Sequence, residues 1–284
     1  MLKGRTCLVT GAGRGIGKAF AEEMARQGAS VAVHGRRERG PAEFGEGTSL
    51  TATATELSST YGVPTIRIQA DLSDGDEVDR AVREVLTAFG RIDILIHNAG
   101  GDIAAGGGKA DPNDAVMISE ADWRAIMDNN LSSTILVCQC VAKSMLAAQR
   151  DAEASATDAE SSGRIITVSS DASFQANEHG SQAIYATAKA AVNHYTKCLA
   201  QQLRHHNINV NCISPGSIAS GRVATHTKQG LYGEGAQKRL SARGTLDRFG
   251  SVEEVASVAT FLAGPLGDYV AGEVIKVNGG SARL

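Results

Sequence analysis

Residues 3–28 read K-G-R-T-C-L-V-T-G-A-G-R-G-I-G-K-A-F-A-E-E-M-A-R-Q-G, and this stretch decides the fold. Lys3 to Thr10 is a short apolar run suited to a strand. Gly11 to Gly17 is a glycine-rich turn, and the segment after it is amphipathic with helical spacing. Strand, glycine turn and helix together make a cradle for a dinucleotide phosphate. Glycines let the backbone turn tightly and approach the pyrophosphate, while the helix N-terminus aims free N–H groups and the positive end of its dipole at it. Gly11, Gly13, Arg14, Gly15, Ile16 and Gly17 are the candidate contacts. The spacing departs from G-x-G-x-x-G, because Ile16 stands where the third glycine would be. It fits G-x-x-x-G-x-G, from Gly11 through Gly15 to Gly17.

A second pattern lies further along. Tyr185 and Lys189 are four residues apart in A-I-Y-A-T-A-K, so a helix would carry them on one face about one turn apart. An ammonium held near a phenol favours phenolate and lowers the tyrosine pKa from about 10 toward neutrality, where the hydroxyl can give or take a proton. Ser170 closes the apolar run R-I-I-T-V-S-S and offers a second hydroxyl for the same substrate oxygen. Ser169 is its adjacent alternative.

Strand-like and helix-like segments alternate down the chain. Strands are expected near residues 5–10, 29–34, 64–69, 92–97, 163–168, 207–213 and 272–277, with helices between them. Such alternation argues a parallel sheet covered on both faces. At 284 residues the chain can bury one sizeable core, and residues 1–284 read as one catalytic domain. Apolar residues make up 42% and aromatics 4%, so the core is expected to be Val, Ile, Leu and Ala. A net charge of −3 leaves no electrostatic footprint for nucleic acid or an anionic membrane. No apolar run approaches the roughly 20 residues of a membrane span, no signal peptide precedes the first strand, and a cytoplasmic location is expected. The five cysteines read as reduced and structural, with no spacing for a metal site.

In order and separation these elements resemble the short-chain dehydrogenase/reductase family over nearly the whole chain. The glycine run after Thr10 matches its cofactor motif. Asn98, Ala99 and Gly100 match the N-A-G after the fourth strand, and Asn130 in D-N-N-L its helix asparagine. Ser170, Tyr185 and Lys189 match its catalytic trio, and Pro215-Gly216 follows the strand N-V-N-C-I-S as the family has it. The resemblance implies an α/β, doubly wound, seven-stranded parallel sheet of Rossmann type and an oxidoreductase with NAD(P). It implies that Tyr185 exchanges the proton and Ser170 binds the substrate oxygen. Lys189 would lower the tyrosine pKa and hold the nicotinamide ribose, while Asn130 would help hold a water linking Lys189 to solvent. Asp71-Leu72 resembles the pair contacting adenine, although Asp71 also suits a helix cap. Ile218 and Ser220 fall near the nicotinamide. A homotetramer or dimer is implied as well.

The end of the second strand, S-V-A-V-H-G-R-R, bears on the cofactor. A carboxylate there binds a ribose 2′-hydroxyl, whereas arginine accommodates a 2′-phosphate. Gly35 stands in the acidic position, followed by Arg36 and Arg37, with Arg14 nearby, so NADP(H) is favoured over NAD(H). Replacing Gly35 by Asp would be expected to shift the preference toward NAD(H).

Three stretches read as insertions: Gly35 to Leu50, Gly101 to Met117, and Gln149 to Gly163 as a solvated surface loop. Ser217 to Gly244 resembles a mobile substrate lid. Candidate pocket residues are polar: Asp102, Asn177, Glu178, His179, Arg222 and His226, with His179 the best placed for substrate. They favour a small sugar- or polyol-like carbonyl compound. The alternatives are a 3-oxoacyl thioester on a carrier protein or, in another class, a non-catalytic nucleotide sensor on the same fold.

Overall fold

The structure is a computed structural model that describes residues 1–154, 163–221, 246 and 248–280. In chain order the elements are β1 (Thr6–Thr10), α1 (Gly15–Arg26), β2 (Ser30–Gly35), α2 (Leu50–Tyr61), β3 (Thr65–Gln69), α3 (Gly75–Phe89) and β4 (Ile94–His97). They continue with α4 (Glu120–Met127), α5 (Ser133–Ala154), β5 (Gly163–Val168), α6 (Ala183–Leu203) and β6 (Ile208–Pro215). The short strands β7 (Ile218–Ala219) and β8 (Gly250–Ser251) come next, then α7 (Val252–Ala263) and β9 (Val274–Val277). The main sheet has seven strands in the order β3-β2-β1-β4-β5-β6-β9, all parallel. Each strand expected from the sequence forms, with ends shifted by two residues at most.

Two-residue periodicity divides the strand side chains between two cores. Val9, Val31, Val33, Ile94, Ile96 and Ile213 face α1 and α7, where they meet Phe20, Met24, Val255 and Leu262. Leu8, Ala32, Ile68, Leu95, Ile165 and Val210 face the other way, toward Val82, Val85, Val137, Val141 and Leu203 of α3, α5 and α6. The sheet is therefore buried on both sides, which is why its strands read as continuous apolar runs.

Strand order reverses between β1 and β4, so a crevice opens beyond their carboxyl ends. Thr10, at the end of β1, pins that crevice. Its hydroxyl accepts from the N–H groups of Asn98 and Ala99, both at 3.0 Å. The next turn admits no side chain at Gly17: a Cβ there would lie 2.0 Å from Gly11 O and 2.6 Å from Asn98 Nδ2.

Two expectations are corrected. The stretch from Gln149 is not wholly a loop, because α5 runs on to Ala154 and β5 begins at Gly163. One helical stretch, Glu120–Arg150, is long and apolar enough by length and composition to cross a membrane, although no such run was expected. Its Val137, Cys138, Val141 and Met145 are buried against the sheet, the position of a core helix. Of the cysteines, Cys7, Cys138 and Cys212 are buried, Cys140 is half-buried and Cys198 is exposed; all are free thiols.

Gly17→Ala is expected to destabilise the protein by at least about 1–3 kcal/mol, the range for forced overpacking. Gly106→Ala, where a Cβ meets open space, serves as the control and should stay within about 0.5 kcal/mol. Urea denaturation of the pair checks this; equal stabilities would count against the close approach.

Candidate active site

A cleft of about 560 Å³ opens at the reversal point, lined by the glycine turn, the ends of β2 to β6 and the start of α6. It collects Gly11, Gly13, Arg14, Gly15, Ile16, Gly17, Arg36, Arg37, Asp71, Leu72, Asn98, Ala99 and Gly100. Ser170, Tyr185, Lys189, Pro215, Gly216, Ile218 and Ser220 line it too.

Lys189 sits on α6 and is 3% exposed. Its Nζ donates to Val168 O at 2.9 Å and lies 5.9 Å from the centre of the Tyr185 ring, within reach of the ring's electrostatic field. Burial pushes its pKa from 10.5 down to about 8. It therefore remains mostly an ammonium at neutral pH, in the low-dielectric position where its charge acts most strongly on the phenol. One Nζ hydrogen is directed at Val168 O, leaving two for other partners.

The two serines separate cleanly. Ser169 is buried and its hydroxyl donates to Lys189 O at 2.9 Å. Ser170 is half-buried on the cleft wall, where its Oγ accepts from Ala172 N at 3.3 Å. Ser170 is thus the one available to a ligand.

Asn130 is buried in a π-helical turn, Asp128–Ser132, between α4 and α5. Its Nδ2 donates to Gly101 O and Ile126 O, each at 2.8 Å, and its Oδ1 accepts from Gly101 N at 3.0 Å. Both amide hydrogens are spent, which leaves the side chain one acceptor lone pair for a water. Its visible work is to hold Gly101 against the helix. The neighbouring Gly100 lies so close that a Cβ there would fall 2.7 Å from Asn130 Oδ1 and 3.3 Å from Lys189 Nζ.

Two histidines under the site were not singled out by the sequence. Gly11 N donates to His34 Nδ1 at 3.3 Å, and His34 Nε2 lies 3.1 Å from Ala70 O. Burial pushes its pKa down to about 4, so the neutral ring accepts at Nδ1 and donates from Nε2. It buttresses the glycine turn from below. His97 pairs with the Thr10 hydroxyl at 3.2 Å, and burial together with the Lys189 charge lowers it to about 3.

The stretch after β2 brings two carboxylates into the cleft. Glu43 forms an ion pair with Arg37 at 3.0 Å and also pairs with Arg14. Glu46 accepts from the backbone N–H of Gly15, at the start of α1, and from that of Gly221. Arg36 Nη1 lies 3.5 Å from Asn129 Oδ1 and 4.0 Å from Asp71 Oδ2. Asp71 itself accepts from Ser73 N at 3.0 Å, while the cap of α3 is Asp74. A Cβ at Gly35 would fall 2.8 Å from Leu50 Cδ2, so Gly35→Asp would disturb the start of α2 as well as the cofactor site.

His179, expected to meet substrate, is instead exposed and outside the cleft lining. Gln175, Asn177 and Gln182 line that side. Asp102 lies behind Gln182, accepting from its Nε2 at 3.0 Å. Arg222, His226 and the expected lid beyond Gly221 lie outside the described residues, as do residues 155–162 of the third insertion.

A family model described as Enoyl-(Acyl carrier protein) reductase matches residues 11–282. The chain belongs to the short-chain dehydrogenase/reductase family. It is 34% identical over 281 residues to cyclohexanol dehydrogenase of Rhodococcus sp. strain TK6, covering 98% of this chain and 96% of that protein. It is 33% identical to the 3-oxoacyl-acyl-carrier-protein reductase of Aquifex aeolicus, covering 98% of each. Among solved structures, L-sorbose reductase from Gluconobacter frateurii, complexed with NADPH and L-sorbose, superposes with a TM-score of 0.82 at 26% identity, covering 100% of this chain and 98% of that one. The protein is therefore an oxidoreductase acting on CH–OH and C=O groups, on a nucleotide-binding fold.

The buried ammonium sets a stability test. Unfolded Lys189 titrates near 10.5 and folded Lys189 near 8. Below pH 8 the charge is present in both states, and burying it costs the folded state about 3 kcal/mol; above pH 10.5 both are neutral and the cost is gone. Wild-type stability, taken relative to Lys189→Met, should therefore rise by about that amount between pH 7 and pH 10.5. Urea denaturation of both proteins at the two pH values measures it, and a pH-independent difference would contradict it.

Proposed function

We propose that this enzyme interconverts a secondary alcohol and a carbonyl on a small polar, sugar- or polyol-like substrate, using NADP(H). The observation that carries the reading is the convergence of Ser170, Tyr185 and Lys189 in the cleft that holds the glycine turn. The cofactor's fit rests on space: the turn at Gly17 has no room for a Cβ, and the start of α1 points at the cleft. When bound, the nicotinamide supplies or accepts the hydride. In reduction Tyr185 gives its phenolic proton to the carbonyl oxygen, and Ser170 donates a hydrogen bond that stabilises the charge developing there. The Lys189 ammonium favours the phenolate that remains, and its two other hydrogens suit ribose hydroxyls. Oxidation reverses each transfer, with Tyr185 as the base.

Arg14, Arg36 and Arg37 all line the cleft, and guanidinium groups suit a 2′-phosphate, which supports NADP(H). L-sorbose reductase, the structural relative complexed with NADPH and L-sorbose, supports a polyol-like substrate. A 3-oxoacyl-acyl-carrier-protein substrate is the second reading, supported by the Aquifex relative. Assembly as a dimer or tetramer belongs to the same proposal; Leu266 and Tyr269, 72% and 104% exposed, lie just before the edge strand β9.

Tyr185→Phe should lower kcat by roughly a hundred- to ten-thousand-fold, the usual contribution of a positioned acid, while cofactor affinity measured by NADPH fluorescence stays near wild type. Substantial residual turnover would exclude Tyr185 as the acid. The double exchange Arg36→Ala with Arg37→Ala should cut kcat/KM with NADP+ roughly ten- to a hundred-fold more than with NAD+. Equal losses with both cofactors would remove the 2′-phosphate assignment.

A further inference from the structure

The stretch after β2 is laid back over the glycine turn. Gly40–Phe44 forms one turn of 3-10 helix. Pro41 within it is buried, and a Cβ at Gly13 would fall 3.0 Å from the Pro41 Cγ. Leu50 N donates to Glu38 O at 2.8 Å, which draws the two ends of the stretch together. This placement carries Glu43 onto the arginines. Its carboxylate pairs with Arg14 and, at 3.0 Å, with Arg37. Arg14 Nη1 also donates to Gly40 O at 3.0 Å, so arginine and stretch are joined twice. Arg36 is turned elsewhere, toward Asn129 and Asp71.

Two of the three guanidinium groups suited to a 2′-phosphate therefore already hold an anion that belongs to the chain. Glu43, Arg14 and Arg37 all line the cleft itself. A phosphate monoester carries about −1.5 to −2 charges at pH 7. To reach Arg14 and Arg37 it must displace the Glu43 carboxylate, or share the guanidinium groups with it against like-charge repulsion. A ribose 2′-hydroxyl is neutral and makes no such demand.

We infer that Glu43 is a cofactor-selectivity residue: its carboxylate stands in for a 2′-phosphate on Arg14 and Arg37, and so weakens NADP(H) while sparing NAD(H). This rests on the assignment of the arginines to a 2′-phosphate and deepens it. The preference is then what the arginines gain from the phosphate, less what Glu43 withholds. If the Glu43 pairs are made about nine-tenths of the time, only the remaining tenth accepts the phosphate unopposed, and apparent NADPH affinity falls about tenfold. Glu46, three residues on, is an internal comparison. It accepts from Gly15 N at the helix mouth, the place suited to the pyrophosphate that both nucleotides carry, so it opposes both alike.

The test titrates wild type, Glu43→Gln, Glu46→Gln and the double variant Arg36→Ala with Arg37→Ala against NADPH and NADH, following nucleotide fluorescence, with folding checked by thermal melting. Glu43→Gln should bind NADPH roughly tenfold more tightly and NADH within about threefold of wild type. Glu46→Gln should shift both nucleotides by one factor and leave their ratio unchanged. A folded Glu43→Gln protein that keeps the wild-type ratio overturns the inference, and so does one that binds NADPH more weakly. A Glu46→Gln ratio that moves as far as that of Glu43→Gln overturns it too, since loss of any negative charge would then suffice. The double arginine variant tests the reading beneath. Selective loss of NADPH keeps the 2′-phosphate on the arginines, so an unmoved Glu43→Gln ratio then removes Glu43 alone. Equal loss with both nucleotides removes the 2′-phosphate assignment and this inference together.

Discussion

A reciprocal clamp between β5 and α6 holds the active side of this molecule together. The Lys189 ammonium donates to Val168 O at the end of the strand, while the Ser169 hydroxyl donates back to Lys189 O on the helix. Both bonds are buried, where water does not compete for them. Ser170 follows Ser169 directly, and Tyr185 lies one turn before Lys189, so the two hydroxyls proposed to meet substrate are fixed by the same pair of bonds. The clamp also explains why a full charge is tolerated in the interior. Its hydrogen bond and the nearby aromatic ring offset part of the burial cost, and the remainder appears as a lysine that releases its proton near pH 8.

Most of the architecture was legible because it is local. Each strand announces itself by an apolar run, and the glycine turn by its spacing. The Tyr185–Lys189 pair follows from helical periodicity alone. What the sequence hid is long-range. Glu43 and Glu46 lie unremarked in the stretch after the second strand, and only the fold sets Glu46 on Gly15, 31 residues away in sequence. His34 lies inside an apolar strand pattern, and its role under Gly11 exists only once β1 and β2 pair. Position between Ser170 and Tyr185 does not fix where a side chain points: His179, at φ 56°, is exposed. Asp102 was singled out for its polarity, but its partners Asn113 and Gln182 could be found only from the folded loop.

The distribution of polar work also matters. The two apolar cores use most inward positions of the sheet for packing, and the cleft opens at the carboxyl rim of the strands. There the strand ends contribute different things: Thr10 a brace, Gly35 a close approach to Leu50, Asn98 and Gly100 a close turn, Ser170 a hydroxyl. Relatives with different printed names, cyclohexanol dehydrogenase, 3-oxoacyl-acyl-carrier-protein reductase and L-sorbose reductase, are similar to this chain over nearly its whole length. Loops that leave the rim are free to vary, since connecting segments tolerate change better than the packed elements they join.

The Glu46 carboxylate bridging Gly15 and Gly221 has a bearing on how the protein behaves when nucleotide is scarce. A tethered anion competes with dissolved ones at an effective concentration set by its short loop, commonly in the millimolar range. With Glu46 in place the Gly15 N–H at the start of α1 is already satisfied, so an anion can accept from it only by displacing that carboxylate.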